Sequence, residues 1–444
     1  MDNIRKLIIE KNLISEGEVI GVGVSGGKDS MALLHYLKSI SYELGFEVVA
    51  ITVDHSIREE SATDAMFVSD FCRQNRIRCY KFRINVPSLA KEKGISLESA
   101  AREARYGVFE TVLSKNIVDK IALAHHESDQ AETVLLHLLR GSGISGLKGM
   151  QPVRDKVYIR PMLNTTQQAI INYVNDNYID IVEDKTNAES EFARNYIRNE
   201  VMPILLKKFP NAINAMINFA KLAKEDNDYI EQQVPSDAFI IKDKIVSIPL
   251  SYFVYPKSII SRMIFKALNS IGINKDIESK HIDLISDLAK SENGKKVELP
   301  NKLVAVKEYD YLTLTNKQKE VIMLNEPFKV GETVIKGVGK ILGKRTKTRN
   351  DDGARYIDTK LLPKDAVWRF RENGDWFEKF GGGSKKLKAY LIDKKLPQRL
   401  RANLPVLADS DEVYVIAGVE ISNKVRISES TNTMYRIEFI RENA

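Results

Sequence analysis

Two short stretches of this 444-residue chain concentrate reactive side chains. The first is Ser25-Gly26-Gly27-Lys28-Asp29-Ser30, two glycines ahead of a lysine, an acid and a hydroxyl. Glycines here let backbone N–H groups close on an anion, a following helix start adds its positive dipole end, and Lys28 adds a point charge suited to phosphate. Asp29 sits badly against naked phosphate but well against a bridging Mg2+. The plain alternative is a strand–turn–helix with Ser or Asp as N-cap. The second stretch, Ala124–Thr133, reads AHHESDQAET. Asp129 and Glu132, at i and i+3, share one helix face near its start, where acids are favourable through capping alone. The same pair could hold an amino group or Mg2+, or take a proton from an attacking amine. A zinc site from His125, His126 and Asp129 is the other sharp reading, disfavoured because C-x-x-C and H-E-x-x-H are absent.

Both stretches need a scaffold, and the first two hundred residues supply one by pattern. Strands are expected at Glu18–Val24, Phe46–Val53, Cys79–Val86 and Lys120–His125, and helices at Ser30–Ser39, Ser61–Gln74, Glu98–Asn116 and Asp129–Arg140. That alternation predicts an α/β domain, a doubly wound parallel sheet with helices on both faces. Its ligands bind beyond the carboxyl ends of the strands, so the loops after Val24, Val53 and His125 are where chemistry is expected. Looser patterns dissolve against this topology. Gly21, Gly23 and Gly26 match G-x-G-x-x-G, and Gly23–Gly27 matches G-x-S-x-G. The strand runs on to Val24, however, which puts Gly21 and Gly23 inside it, and too few strands precede the loop for a hydrolase elbow. No register supplies a Walker A loop.

From Thr165 the pattern turns helical, with further helices near Lys257–Ser270 and Asp276–Ser291. A hairpin follows, turning at Pro300–Asn301. The expected organisation is a catalytic domain at 1–208, a mainly helical domain at 211–316, a linker with short strands at 317–345, and a small α+β domain at 346–444, with terminal strands near Val413–Gly418 and Val425–Ile427. Sixty-seven Lys and Arg against 60 Asp and Glu give +7, which permits a polyanionic partner without demanding one. No apolar run nears the roughly 18 residues of a membrane span, and the N-terminus reads as a first helix rather than a signal peptide. Cys72 and Cys79 form neither a disulfide framework nor a C-x-x-C pair, so a reducing cytoplasm is the expected setting.

The Ser25–Ser30 hexapeptide resembles the SGGxDS loop of the PP-loop ATP pyrophosphatases, a HUP-like fold. That resemblance implies ATP held by Ser25, Gly26, Gly27, Lys28, Asp29 and Ser30 and cleaved between its α- and β-phosphates. HHxxDQAET (His125–Thr133) followed by RGSGxxGLxGM (Arg140–Met150) is similar to the signature of the tRNA(Ile)-lysidine synthases within that superfamily. VDHSIR (Val53–Arg58), ESAAREARY (Glu98–Tyr106), RPML (Arg160–Leu163) and EDKTNAESEFARNYIRNEVMPIL (Glu183–Leu205) match in order. RENGDWF (Arg371–Phe377), KKLKAYLIDKKLPQRLRANLPVL (Lys385–Leu407) and VIAGVEIS (Val415–Ser422) resemble the family's C-terminal domain.

The implied reaction is attack by the C2 oxygen of a wobble cytidine, in a tRNA(Ile) with a CAU anticodon, on the α-phosphate of ATP. The ε-amine of L-lysine then displaces AMP, giving lysidine and moving decoding from AUG to AUA. In that scheme Asp29 is the catalytic and Mg2+ candidate. Asp129 and Glu132 grip lysine or accept its proton, and Arg105 neutralises developing charge. Arg194, Arg198, Lys385, Lys386, Lys388, Arg399 and Arg401 are the candidates for tRNA contact. Arg102 and Arg105 also read as a solvated helix face, Arg194 and Arg198 as ordinary surface, His55 as a satisfied loop histidine, and His137 as structural. ATP and Mg2+ are expected, zinc and iron–sulfur clusters are not; no membrane partner is expected, and a homodimer is left open. The alternative is another PP-loop tRNA-modifying enzyme such as a thiolase, whose sulfur handling usually wants paired cysteines.

Overall fold

Runs of β-branched residues alternating with amphipathic ones give the chain its first half. The computed structural model of the protein describes residues 1–57, 61–182, 193–273, 276–316, 323–350 and 353–442. Arg58 and 183–192, the first ten residues of one matched motif, lie outside the described residues, as do 317–322 of the expected linker. The chain divides into two units, Met1–Tyr229 and Ile230–Ala444. Among the described residues no helix is long and apolar enough to cross a membrane.

The first unit runs α1 (Asp2–Glu10), β1 (Val19–Gly23), α2 (Lys28–Ser41), β2 (Glu47–Asp54), α3 (Ser61–Gln74), β3 (Arg78–Arg83), α4 (Val86–Lys93), α5 (Leu97–Ser114), β4 (Lys120–Ala122), α6 (Glu127–Leu139), α7 (Ile144–Leu147), β5 (Val153–Arg154), β6 (Tyr158–Ile159) and α8 (Gln167–Asp176). After the undescribed stretch come α9 (Ala193–Tyr196), one π-helical turn (Ile197–Val201), α10 (Met202–Lys208) and α11 (Ala212–Gln232). The sheet order is β3-β2-β1-β4-β6-β5, parallel throughout except for the β5–β6 pair. The chain winds outward from β1 to β3 and returns to place β4 on the other flank of β1. The loops leaving β1 and β4 therefore diverge, and a crevice opens between them.

Strand alternation assigns the two faces. Ile20, Val22, Val48 and Ala50 join one core with α1, α2 and α8, where Met31, Leu33, Leu34 and Leu37 are completely buried. Each such leucine contributes roughly 1.5–3 kcal/mol by leaving water. Val49, Ile51 and Ile121 face α5 and its Phe109. Gly21 and Gly23 lie on that second face. A Cβ on Gly23 would stand 2.8 Å from the Phe109 ring, and one on Gly21 would stand 2.6 Å from Ile51. These glycines make room for packing, which is why the dinucleotide pattern they belong to has no phosphate-binding meaning. Helix α4 occupies the end of the segment expected as strand, because Asn85 caps it and Pro87 suits its first turn.

In the second unit β7 (Ile240–Lys242), β8 (Ile245–Pro249), β9 (Lys296–Glu298), β10 (Val304–Glu308) and β11 (Tyr311–Thr315) form an antiparallel sheet in the order β7-β8-β11-β10-β9. Helices α12 (Lys257–Ser270) and α13 (Ser279–Ala289) pack against it through Met263, Ile264, Leu268 and Ile285. The expected hairpin is β9–β10, turning through Asn301 and Lys302 in left-handed conformations.

The remaining strands are β12 (Asn325–Pro327), β13 (Gly331–Ile335), β14 (Gly339–Thr346), β15 (Arg355–Asp358), β16 (Val367–Phe370), β17 (Trp376–Glu378), β18 (Ser384–Lys386), β19 (Pro405–Asp409), β20 (Glu412–Ile416), β21 (Glu420–Ile421) and β22 (Met434–Arg441), with helices α14 (Leu387–Asp393) and α15 (Gln398–Arg401). They make two sheets sharing a core around Trp368, Leu407, Val415 and Ile437. The short strands of the expected linker are structural: β13 and β14 join β22 and β15 in one of these sheets. Val425–Ile427 is not a strand. Asn423–Val425 is a 3-10 turn capped by the Ser422 hydroxyl, and the terminal strand is β22.

Candidate active site

The first reactive stretch sits at the carboxyl end of β1. Val24 extends the ladder by donating to the Ile51 carbonyl, and the chain then turns through Gly26 at φ +87°, a left-handed conformation that glycine adopts without cost. The Gly26 carbonyl accepts from Val182, whose side chain lies 3.3 Å from where a Cβ would stand. Gly27 is the N-cap of α2, and Lys28 and Asp29 form its first turn. The Ser30 hydroxyl closes the loop from inside, donating to the Gly27 carbonyl at 2.9 Å and accepting from the Ser25 N–H at 3.2 Å. The loop is thus fixed by its own serines, and the first N–H groups of α2, which no helical carbonyl can satisfy, point out of its end. Backbone N–H groups aimed this way at a helix start suit an anion.

The second stretch lies across the crevice. His126 is the N-cap of α6: its Nδ1 accepts from the Ser128 N–H, and its own N–H donates to Asp129 Oδ2 at 3.0 Å. Accepting at Nδ1 leaves the ring proton on Nε2, 3.5 Å from Asp129 Oδ2 and 3.8 Å from Asp29 Oδ2. One imidazole nitrogen therefore stands within 4 Å of the carboxylates of both stretches. Burial pushes the Asp29 carboxyl up, and Asp129 adds to this, while His126, Lys28 and Arg198 pull it down. Asp29 Oδ1 is buried without a hydrogen-bond partner. For Asp129 burial also pushes upward, but His126, Arg194 and His125 outweigh it and hold the carboxyl below its usual range.

Arg194 and Arg198 are not on an open basic face. Arg198 donates to Glu132 through Nε at 2.7 Å and a terminal nitrogen at 2.7 Å, and to Asp129 Oδ1 at 2.6 Å. Arg194 reaches the same two carboxylates at 3.2 Å each. The sequence pairs these arginines by i,i+4 spacing and assigns them to RNA; the fold closes them onto the pair of acids assigned to lysine. A π-helical turn carries Arg198, and such bulges are common where a side chain must be re-aimed. Glu132, 3% exposed, has both oxygens engaged, whereas the Asp29 side chain is 33% exposed. Burial opposes the Arg198 charge, but Glu132, Asp129 and Asp29 together raise its pKa.

Other sequence candidates fall into place around this edge. Gln130 brackets Met150, donating to its carbonyl at 2.9 Å and accepting from its N–H at 2.7 Å. That explains the glutamine of DQAET, a role its spacing does not announce. His137 Nδ1 lies 2.7 Å from the Gly146 carbonyl, a structural contact. Arg105 is exposed and near enough to His55 and His125 for its charge to lower their pKa values, while desolvation lowers its own first, with Arg102 adding to it. Arg160 of RPML, buried at 5% exposure, donates to the Gln151 carbonyl at 2.6 Å. Cys72 and Cys79 do face each other: the Cys79 thiol is held down to about 7, first by its hydrogen bond with Cys72. The pair sits late in α3 and near the start of β3, at the amino-terminal side of a parallel sheet whose chemistry is at the other edge.

In the second unit the basic candidates separate. Lys388 is exposed; Lys385 pairs with Asp393, and Lys386 lies 5.9 Å from the Trp376 ring. Arg399 instead donates to Glu308 at 2.7 Å and Arg401 to the Tyr309 hydroxyl at 2.6 Å, tying α15 to the β10–β11 turn. Their guanidinium groups serve this packing, a use that the basic run KKLPQRLR does not reveal.

Residues 2–205 match the family model described as a PP-loop domain, and residues 366–439 match the one described as a TilS substrate C-terminal domain. The tRNA(Ile)-lysidine synthase of Clostridium tetani is 34% identical over 464 positions, covering 99% of this chain and 98% of that protein. That of Clostridium acetobutylicum is 34% identical, covering 98% of each. The Bacillus subtilis protein of the same name is 32% identical over 95% of this chain and 94% of its own.

Proposed function

The chain belongs to the family of tRNA(Ile)-lysidine synthases, and from that premise we propose how its crevice carries out ATP-dependent ligation of L-lysine to the wobble cytidine of a CAU-bearing tRNA(Ile). The observation that carries the reading is the pairing of an anion cradle after β1 with a carboxylate cap after β4, with the His126 ring within 4 Å of the acids of both. The cradle of Ser25–Ser30 holds the phosphates of ATP, and Lys28 meets the charge that collects on departing pyrophosphate. The C2 oxygen forms a bond to the α-phosphorus, the α–β anhydride bond breaks, and pyrophosphate leaves with the electron pair. The lysine ε-amine then adds at C2, the C2–O bond breaks, AMP leaves, and the amine gives up a proton.

The buried, unpartnered Asp29 Oδ1 fits a metal ligand, and a Mg2+ held there with the phosphates would stabilise the leaving group. Asp29, whose side chain is 33% exposed, is the acid nearest an approaching lysine ammonium, with Asp129 buried just behind it. Glu132 acts one step behind them by fixing Arg194 and Arg198. Arg105 offsets negative charge, and Lys385, Lys386 and Lys388 meet tRNA phosphates. A cytoplasmic setting belongs to the same reading.

The test is incubation with Mg-ATP, radiolabelled lysine and a tRNA(Ile) transcript bearing CAU, with the initiator methionine tRNA as control. Stable label on the isoleucine tRNA alone, lost in Asp29→Ala, is the expected result. Absence of label with folded protein and competent tRNA would sink the reading and turn attention to sulfur transfer.

A further inference from the structure

Buried polar atoms without partners gather at one edge of the first unit's sheet. Among the described residues they include His55 Nδ1 after β2, His125 Nδ1 after β4, Arg160 Nε just past β6 and Asp29 Oδ1 after β1. These are neighbouring positions in the strand order, all at carboxyl ends. Folded proteins rarely leave such groups without a water, an ion or a ligand to receive them. Asp29 already has a use in the phosphate cradle. His125 has none, although it stands beside the acids where lysine must approach.

We propose that His125 Nδ1 accepts a hydrogen bond from the exocyclic N4 amine of the wobble cytosine, which makes His125 a specificity-determining residue. This rests on the function proposed above, since it needs the base in the crevice. The base must lie there because its C2 oxygen has to reach a phosphate in the loop after β1 while C2 stays open to an amine beside Asp129. β4 is the immediate neighbour of β1, and His125 directly precedes the His126 that spans Asp29 and Asp129. His126 is extended, at φ −127° and ψ −175°, and the His125 ring before it lies close enough to Asp129, Arg160, Arg194 and Arg105 to feel their charges.

The charge state suits the role. Burial, then Arg160, Arg194 and Arg105, keep the His125 imidazole neutral against the opposing pull of Asp129. A neutral ring has a lone pair to offer, whereas an imidazolium has none. Bonding of O2 to the α-phosphorus makes the pyrimidine a cation whose charge spreads over N1, C2, C4 and N4, and the amine becomes a stronger donor. An uncharged acceptor strengthens its hold as that charge appears, and a protonated one would repel it. A contact that tightens on the way to the intermediate contributes to kcat/KM as well as to binding.

The experiment is a cycle between residue and base. Full-length protein is assayed for pyrophosphate release on two semisynthetic tRNA(Ile) molecules, one with cytidine at the wobble position and one with pyrimidin-2-one riboside, which keeps O2 and N3 but lacks the amine. Removing the amine should lower wild-type kcat/KM by about 10- to 100-fold, the usual range for a lost buried hydrogen bond. In His125→Ala the same change should cost about 10-fold less than in wild type, because only the electronic loss common to both proteins is left. His125→Leu, which fills the space without an acceptor, gives the same answer if the alanine variant folds poorly. His125→Asn, with an oxygen near the Nδ1 position, should restore part of the penalty. A residue that only supports the fold would lower both rates alike. Equal amine penalties in wild type and both apolar variants overturn the proposal. An enzyme silent on the cytidine tRNA itself fails the function reading first, and that outcome is distinguishable from a flat cycle.

Discussion

At the scale of single residues the site is a balance of buried charges, and its weak points follow from which partner is removed. Arg198→Ala would leave Glu132, 3% exposed, with the longer contact to Arg194, and Asp129 with that arginine and His126. Breaking a buried pair from one side is costlier than never having built it; because Arg198 keeps solvent contact, about 2 kcal/mol is the expected loss, read from the urea midpoint. Arg198→Lys should recover little, since one ammonium cannot make the forked contact. His125 gives a pH signature. Its folded-state pKa, pushed down to about 3, lies below the unfolded value near 6.5. As pH falls through 6.5 the unfolded chain takes up a proton that the fold refuses, so stability drops by about 1.4 kcal/mol per unit until the native pKa is reached. His125→Asn should therefore lose about 2 kcal/mol less than wild type between pH 7 and pH 5 in denaturant titrations, and parallel curves would contradict this. Asp29, Asp129 and the two arginines were all visible in the sequence as reactive types. Their pairing was not, because 62 residues separate Glu132 from Arg194 and nothing local marks the contact.

Whole elements were easier to read than their contacts. The parallel sheet was legible because alternation of strand and helix constrains topology more than any single residue does, and α12 was legible from its periodicity alone. Elements with two or three residues, such as β5 and β6, carry too little pattern to register. Strand β22 escaped for another reason: MYRIEFIR alternates with arginines that a pattern reading takes for surface, while its pairing with β14 and β15 is set from far away in sequence. β1 shows how strongly an element can depend on one missing atom. Gly23→Ala puts a methyl 2.8 Å from the ring of Phe109, itself 1% exposed, so strand and α5 must part. Overpacking of this kind costs about 1–3 kcal/mol. Because β1 carries the phosphate loop, the KM for ATP should rise in the same variant. Gly23→Ala combined with Phe109→Leu should regain stability relative to Gly23→Ala alone, measured by thermal melts. Failure of that rescue would place the strain elsewhere.

For the molecule as a whole the open question is which positive charges meet the nucleic acid. Reading charge from sequence treats the run from Lys385 to Arg401 as one basic surface. The structure divides it, because a guanidinium that donates to a buried carboxylate is no longer a free counter-charge. Arg399 bonds Glu308, which is 5% exposed, and Arg401 bonds Tyr309, so both fasten α15 to the sheet of α12 and α13. Lys388 remains exposed on α14. The two classes differ in a measurable way. Each phosphate contact releases counterion, so losing one lowers the slope of log K against log salt by about one. Lys388→Ala should reduce the slope for tRNA by about that amount while leaving stability within about 0.5 kcal/mol. Arg399→Ala should leave the slope unchanged and lower the unfolding midpoint of the full chain. Its effect should be strongly non-additive with Glu308→Gln, since the second change removes a partner already lost. A reduced slope in Arg399→Ala, with stability intact, would return that arginine to the RNA and leave the junction to Arg401 and Tyr309.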